Sequence, residues 1–156
     1  MGIFFIFESR EQFGNLWDVY ENGYWVVITT NGTVKKNGLA VMGRGVALAA
    51  AQRFPDLPWM LGKALLKGGN RVRSFGALRI ISFPVKHEWH ERADPQLIVQ
   101  SARQLALGAE RYVKFFSENI YLVRPGCGNG GLIWGEIKPL ILPILDDRFI
   151  VLEKHG

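Results

Sequence analysis

Apolar residues along this chain come in two rhythms. Short segments rich in apolar and β-prone residues at Ile3 to Phe7, Tyr24 to Thr29, Ala77 to Phe83, Ile120 to Val123 and Arg148 to Leu152 read as strands. Between them, apolar positions recur every three or four residues. Ser9 is placed to cap a helix from Arg10 to about Tyr20, with Phe13, Leu16, Trp17 and Tyr20 on one stripe. The small-residue series from Val46 to Arg53 is strongly helical and is stopped by Pro55. Leu57 to Leu66 forms the next helix, ended by Gly68-Gly69. Asp94-Pro95 is a helix start, followed by Leu97, Ile98, Ser101, Leu105 and Ala109 on one face, running towards Phe116. A last helix spans Leu132 to Leu142, bent or shortened by Pro139.

Strands alternating with helices predict an α/β domain with a mixed sheet covered on both faces. In such sheets ligands bind beyond the carboxyl ends of strands. Three loops stand there, Thr30 to Ala47, Pro84 to Arg92 and Arg124 to Leu132, and they are expected to converge on one cleft. The chain of 156 residues suits one domain, and 48% hydrophobic with 21% charged residues is the balance of an ordinary folded protein. No apolar run is long enough for a membrane span, and Ile3 to Phe7 is too short for a signal-peptide core. The single cysteine, Cys127, excludes an internal disulfide and fits a reducing cytoplasm. A net charge of +5 suits a polyanionic partner, a nucleotide or a nucleic acid, or serves solubility alone. The basic residues are spread along the chain without a dense run.

The richest stretch in candidate chemistry follows the strand at Ile120. In Arg124-Pro125-Gly126-Cys127-Gly128-Asn129-Gly130-Gly131-Leu132, four glycines fall within six residues, between a strand and a helix-like run. Such density implies a backbone that takes positive φ or lies against something closely, and successive N–H groups in a turn hold a phosphate. A P-loop is excluded because no Gly-Lys-Ser/Thr follows. The dinucleotide pattern G-x-G-x-x-G matches at Gly126, Gly128 and Gly131. Its acids, however, should end the next strand, whereas Asp146 and Asp147 precede the last one.

These loops resemble the macrodomains, which bind ADP-ribose. Pro125 to Trp134 resembles their diphosphate-binding loop, and Val41-Met42-Gly43-Arg44-Gly45-Val46-Ala47 is similar to their first glycine loop and helix start. Thr29-Thr30-Asn31 sits where the family places an asparagine after a buried strand. Phe83-Pro84-Val85-Lys86, followed by Trp89, is similar to the catalytic-lysine segment of the branch whose members remove ADP-ribose from glutamate or, as antitoxins, from DNA bases. The resemblance covers roughly residues 24 to 152 and implies a three-layer α/β/α fold. Two departures stand out. The segment from Val34 to Ala40 lengthens the asparagine loop, and the Gly-Asp-Ile motif that reads adenine is absent. Gly128-Asn129-Gly130, without the aspartate of the glutamate-acting enzyme, favours the antitoxin-like version.

The resemblance assigns roles residue by residue. Lys86 attacks the anomeric carbon of the distal ribose and forms an imine-type intermediate. Its neutral amine would be favoured by burial or by a neighbouring cation such as Arg44. Backbone at Pro125, Gly126, Cys127, Gly128, Asn129, Gly130, Gly131 and Leu132 holds the diphosphate from one side. Met42, Gly43, Gly45 and Val46 hold it from the other, Arg44 pairs with phosphate or attached substrate, and Asn31 orients the ribose. Each has a plainer reading: a solvated lysine or arginine, an Asn-Gly turn, a packed thiol at Cys127. His87, Glu88, His90 and Glu91 lack the spacing of a helical zinc site and read as a solvated rim. Trp89 and Trp134 are candidates to stack on a base, with packing the plainer job for Trp134.

The resulting expectation is a cytoplasmic, monomeric macrodomain that needs no metal or cofactor. It hydrolyses an ADP-ribosyl linkage, with modified nucleic acid as the favoured substrate. The alternatives are a non-catalytic ADP-ribose-binding module and an enzyme acting on glutamate-linked ADP-ribose. A third reading, a basic nucleic-acid scaffold without a nucleotide pocket, is weakened by the sparse basic runs.

Overall fold

The computed structural model describes residues 10–112 and 119–154. Among the described residues six strands form one sheet: β1 (Glu11–Phe13), β2 (Trp25–Asn31), β3 (Arg73–Phe75), β4 (Ile80–Lys86), β5 (Ile120–Val123) and β6 (Phe149–Glu153), in the spatial order β1-β6-β5-β2-β4-β3. Every pairing is parallel except β3 with β4, so the sheet is mixed, as its alternation with helices predicts. The helices are α1 (Leu16–Glu21), α2 (Gly45–Arg53), α3 (Leu57–Gly68), α4 (Pro95–Tyr112) and α5 (Trp134–Ile141).

Alternate strand residues feed two cores, because successive side chains point to opposite faces. Val27, Ile81, Phe83, Leu122, Phe149 and Val151 pack under α4 and α5, which supply Ile98, Leu105, Ile137 and Ile141. Val26, Ile28, Ile80, Ile150 and Leu152 face the other way, under α1, α2 and α3, which supply Leu16, Ala50, Leu57 and Leu61. Three layers result. The face predicted for α4 is buried throughout, at Leu97, Ile98, Ser101, Leu105 and Ala109.

The structure corrects several boundaries. Residues 11–13 are an edge strand rather than the first turn of a helix. Among the described residues Glu11, Gln12 and Phe13 pair with β6, and a segment of three residues carries no period from which a strand could be read. The helix starts instead at Leu16, where the Asn15 side chain accepts a hydrogen bond from the Trp17 N–H at 2.8 Å. The predicted strand at Ile3 to Phe7, the cap at Ser9 and the extension of α4 towards Phe116 lie outside the described residues.

Residues 76–78 form a short 3-10 turn, and β4 begins only at Ile80 after Arg79, whose φ of 55° turns the chain. Nor does the strand end at Phe83, where the sequence pattern placed its limit; β4 runs through Pro84 to Lys86. The reason is local. β3 pairs only with Ile80, Ile81 and Ser82, so at Pro84 one side of β4 is already an edge, and the missing N–H costs no ladder bond there. The Pro84 carbonyl accepts a 2.7 Å hydrogen bond from the buried Ser101 hydroxyl. The helix expected from Leu132 begins at Trp134, because the Leu132 N–H turns back to the Gly126 carbonyl at 2.9 Å. Among the described residues no helix is long and apolar enough to cross a membrane.

Candidate functional site

The parallel strands β4, β2, β5, β6 and β1 all end on one edge of the sheet, and a cleft of about 1150 Å³ runs along it. At about 4.8 Å per strand, those four spacings give a trough roughly 19 Å long. It suits an elongated ligand rather than a compact one.

At the β4 end stand Lys86 and Asn31. A register shift between Thr30 and Asn31 pairs Thr30 with Pro84 but Asn31 with Lys86, skipping Val85. The bulge sets the two functional candidates side by side. Asn31 therefore closes β2 rather than lying in the following loop. Its side chain accepts from the Thr33 N–H at 2.9 Å and donates to the Val41 carbonyl at 3.0 Å, leaving one amide hydrogen and one lone pair for a ligand. Lys86 is half-buried in the cleft wall, and its Nζ donates to the Trp89 carbonyl at 3.3 Å. Its backbone is held by Asn70, whose Nδ2 donates to the Lys86 carbonyl at 3.0 Å.

The lengthened loop is a small hairpin. Val34 bridges Ala40, the Lys35 N–H reaches the Leu39 carbonyl, and the Val41 N–H reaches the Thr33 carbonyl. It lies against α3. A side chain at Gly62, inside that helix, would collide with the Gly38 carbonyl, and the Ala40 N–H bonds the Pro58 carbonyl at 2.8 Å. Glycine within a helix costs roughly 1 kcal/mol relative to alanine. Here that cost admits the hairpin.

In the middle of the trough two loops meet. Met42, Gly43, Arg44, Gly45 and Val46 line one wall, leading into the N-terminus of α2. No side chain caps that helix, and among the described residues the N–H groups of Gly45, Val46 and Ala47 have no partner. Such an end attracts an anion. Gly126, Cys127, Gly128, Asn129, Gly130 and Leu132 line the other wall. The N–H groups of Gly128, Asn129 and Gly130 are likewise unpartnered among the described residues. The walls come close at Gly45, where a methyl group would stand 3.0 Å from the Asn129 Nδ2.

The glycines of the second loop divide by purpose. At Gly130 a methyl group would stand 2.5 Å from the Gly126 carbonyl oxygen and 2.8 Å from the Ala93 Cβ. At Gly126, where φ is +73°, it would press on Ile98, Ala93 and Leu132. Gly131 has φ of +77°. These three are demanded by the fold. Gly128 and Gly43 have ordinary φ and open space where a side chain would be, so nothing among the described residues asks for glycine there. Of the loop residues marked out in the sequence, two do not reach the cleft. Pro125 is buried behind it, and Gly131 is turned outward, its carbonyl accepting from Arg92 at 3.0 Å.

Cys127 touches the cleft, but burial pushes its thiol pKa up against a smaller opposing pull from Arg124, and its Sγ donates to the Pro125 carbonyl at 3.3 Å. That is a packed thiol rather than an activated nucleophile. The histidines and acids after Lys86 brace their own loop. His87 lies 2.8 Å from Asp94, Glu91 accepts from the Glu88 N–H, and Glu88 lies 3.8 Å from His90. Hydrogen bonding from His87, against a smaller effect of burial, holds the Asp94 carboxyl below its ordinary range. Among the described residues no three such groups gather to hold a metal.

At the far end, the turn from Gly14 to Trp17 and the β6 end at Glu153 and Lys154 complete the trough, a region the sequence reading missed. Asn15 as a helix cap was the available signal, hidden because the helix was started too early. Trp134 is part of this end. Its indole N–H donates to Glu11 at 3.0 Å, and the Arg124 guanidinium lies over its ring. Burial raises the Glu11 pKa, but hydrogen bonds from Lys138 and Trp134 outweigh it and leave the carboxyl below its ordinary range.

No family model matches the chain. It is 32% identical over 119 residues to a DNA ADP-ribosyl glycohydrolase of Thermus aquaticus, covering 70% of this chain and 32% of that protein. A DNA ADP-ribosyl glycohydrolase of Mycobacterium tuberculosis is 30% identical over 112 residues, 65% of this chain and 31% of that protein. The chain thus spans about a third of the length of these relatives. Among solved structures, the macrodomain of Thermus aquaticus DarG superposes with a TM-score of 0.72 at 26% identity, covering 94% of this chain and 97% of that one. The macrodomain of Mycobacterium tuberculosis DarG gives 0.69 at 23% identity, covering 91% and 96%. Thermosipho africanus DarTG, solved in complex with ADP-ribose, gives 0.64 at 20% identity, covering 90% and 39%. With its mixed six-stranded sheet between two helical layers, the chain belongs to the macrodomains and is one of the DarG type.

Proposed function

We propose that this macrodomain binds ADP-ribose along the carboxyl edge of its sheet and hydrolyses its linkage to a DNA base, with Lys86 as the nucleophile. The observation that carries the proposal is the bulge that sets Lys86 beside Asn31 at one end of the trough, next to a centre lined by unpartnered N–H groups. The diphosphate lies in that centre, between the α2 N-terminus and the loop 126–131. The distal ribose reaches Asn31 and Lys86, and the adenosine lies at the end formed by Gly14 to Trp17 and Glu153. The names and bound ligand of the relatives support the same ligand and leaving group.

In the reaction the neutral Lys86 amine attacks the anomeric carbon of the distal ribose. The bond to the base breaks, its electron pair leaves with the base, and the base gains a proton. The resulting glycosylamine opens to an imine, to which water adds, releasing ADP-ribose and regenerating the amine. Asn31 restricts the ribose so that this carbon faces Nζ.

The test is single-turnover hydrolysis of an ADP-ribosylated DNA oligonucleotide beside calorimetric titration with ADP-ribose. Lys86→Ala should retain micromolar binding and lose turnover. Unchanged turnover removes the lysine mechanism. Binding without turnover in the wild-type chain leaves a reader module, and turnover of a glutamate-linked substrate alone moves the activity to protein.

A further inference from the structure

Among the described residues β3 pairs with Ile80, Ile81 and Ser82 and no further, so the last part of β4 lacks a strand on that side. The carbonyls there are held one by one. Pro84 accepts from the Ser101 hydroxyl at 2.7 Å and Val85 from the Asp94 N–H at 2.9 Å. Lys86 accepts from Asn70 Nδ2 at 3.0 Å and His87 from the Gly32 N–H at 3.1 Å. Asn70 comes from the short connection between α3 and β3. That connection is itself fastened to α4, the Val72 N–H donating to Gln104 Oε1 at 3.0 Å.

The Asn70 amide also lies against Gly32. A methyl group at Gly32 would stand 2.9 Å from both Cγ and Nδ2 of Asn70, and 2.7 Å from the His87 carbonyl oxygen. Gly32 has no left-handed φ, so it is close contact that demands glycine there. One side chain thus presses on the residue after Asn31 and holds the carbonyl of Lys86, the pair that the bulge sets side by side. It does so from behind, since Asn70 is not among the residues that line the cleft. The amide has one workable orientation, because only its nitrogen can meet a carbonyl oxygen. Its Oδ1 is then buried without a partner among the described residues, a cost that an apolar side chain of the same shape avoids. Stability alone does not favour asparagine here.

Resting on the function proposed above, we infer that Asn70 is a positioning residue for the hydrolysis. It sets the Lys86 amine and the Asn31 amide at the spacing that the distal ribose requires. It acts through the Lys86 main chain and through Gly32. An amine on a long flexible stem is placed only as well as the backbone that carries it, and an error near 1 Å in an attacking atom costs about 100-fold in rate. The anion-binding centre, at the α2 N-terminus and the loop 126–131, is built from other residues. Capture of the ligand and attack upon it are therefore separable.

The test compares Asn70→Leu and Asn70→Ala with the wild-type chain in single-turnover hydrolysis of an ADP-ribosylated DNA oligonucleotide, ADP-ribose calorimetry and thermal melting. Leucine keeps bulk against Gly32, strands the Lys86 carbonyl and removes the unpartnered oxygen, so its melting temperature should stay near wild type. Both variants should lose about 10- to 100-fold in single-turnover rate and keep ADP-ribose affinity within about twofold, which also reports that they are folded. The pH–rate profile should fall in height and keep its midpoint, because the amine is misplaced rather than titrated differently. Gly32→Ala reaches the same amide by another route and should lose rate in the same way. Wild-type rate in Asn70→Leu overturns the inference. So does a loss of ADP-ribose affinity in step with the rate, which would make Asn70 part of the binding frame, or a shifted midpoint, which would assign it to the titration of the amine. Full rate in Lys86→Ala, or no turnover in the wild-type chain, would instead remove the proposed function and leave Asn70 no nucleophile to place.

Discussion

On one side of the cleft, the loop 124–132 is fixed by packing. Gly126 and Gly130 lie against Ala93, Ile98 and Leu132 too closely for any side chain, and the loop has almost no freedom once α4 is in place. On the other side, the segment from Asn31 to Gly45 is fixed by hydrogen bonds: Asn31 to Val41, Val41 to Thr33, and Ala40 to Pro58. Each carries or leads into a run of N–H groups without a partner among the described residues, Gly128 to Gly130 on one side and Gly45 to Ala47 on the other, beside the same cleft. The difference lies in how each fails. A packed loop tolerates no added atom, whereas a hydrogen-bonded loop tolerates bulk but not the loss of a polar group.

The largest expected effect cuts across both sides. Lys86→Ala should lower turnover by about three orders of magnitude or more while leaving ADP-ribose affinity and melting temperature near wild type, as activity and thermal-shift assays would register. Gly130→Ala and Gly128→Ala then separate packing from ligand approach. The first should destabilise by about 1–3 kcal/mol through overpacking, visible in urea unfolding. The second should leave stability within about 0.5 kcal/mol and weaken ADP-ribose in calorimetry. Equal stability in the two variants would end the distinction between the glycines. On the hydrogen-bonded side, Asn31→Ala should cost about 1–3 kcal/mol of stability, because it strands the Thr33 N–H and the Val41 carbonyl.

The smallest effect concerns acid. The folded Asp94 carboxyl titrates below its ordinary range, so its contribution to stability is present above the unfolded value and is lost as pH falls through the folded one. Asp94→Asn keeps a helix-capping side chain and removes the carboxylate that faces His87. Its melting temperature should lie slightly below wild type at neutral pH and converge with it as the solution is acidified.

Much of this was written in the chain. The strand at Ile120, the buried face of α4 and the density of glycine after Val123 each follow from local pattern and survive in the structure. Other features depended on neighbours that no local pattern reveals. Pro84 lies within a strand only because β3 stops short of it, and β1 is a strand only because β6 is there to pair with it. Asn31 meets Lys86 through a skipped residue that alternation of side chains cannot forecast. Which glycines serve the fold and which face the cleft was equally hidden, because the sequence writes all of them with one letter.

The order of the strands also bears on how the molecule comes into being. β6 sits between β1 and β5, so the earliest described strand joins the rest of the described sheet only through the last one. Pairings between segments so distant in sequence close large loops and form slowly. The end of the trough at Gly14 and Glu153 is therefore assembled last, and a chain still emerging from the ribosome has the lysine end in place before the trough is complete. Capture of a ligand along the whole trough thus waits for the docking of β6.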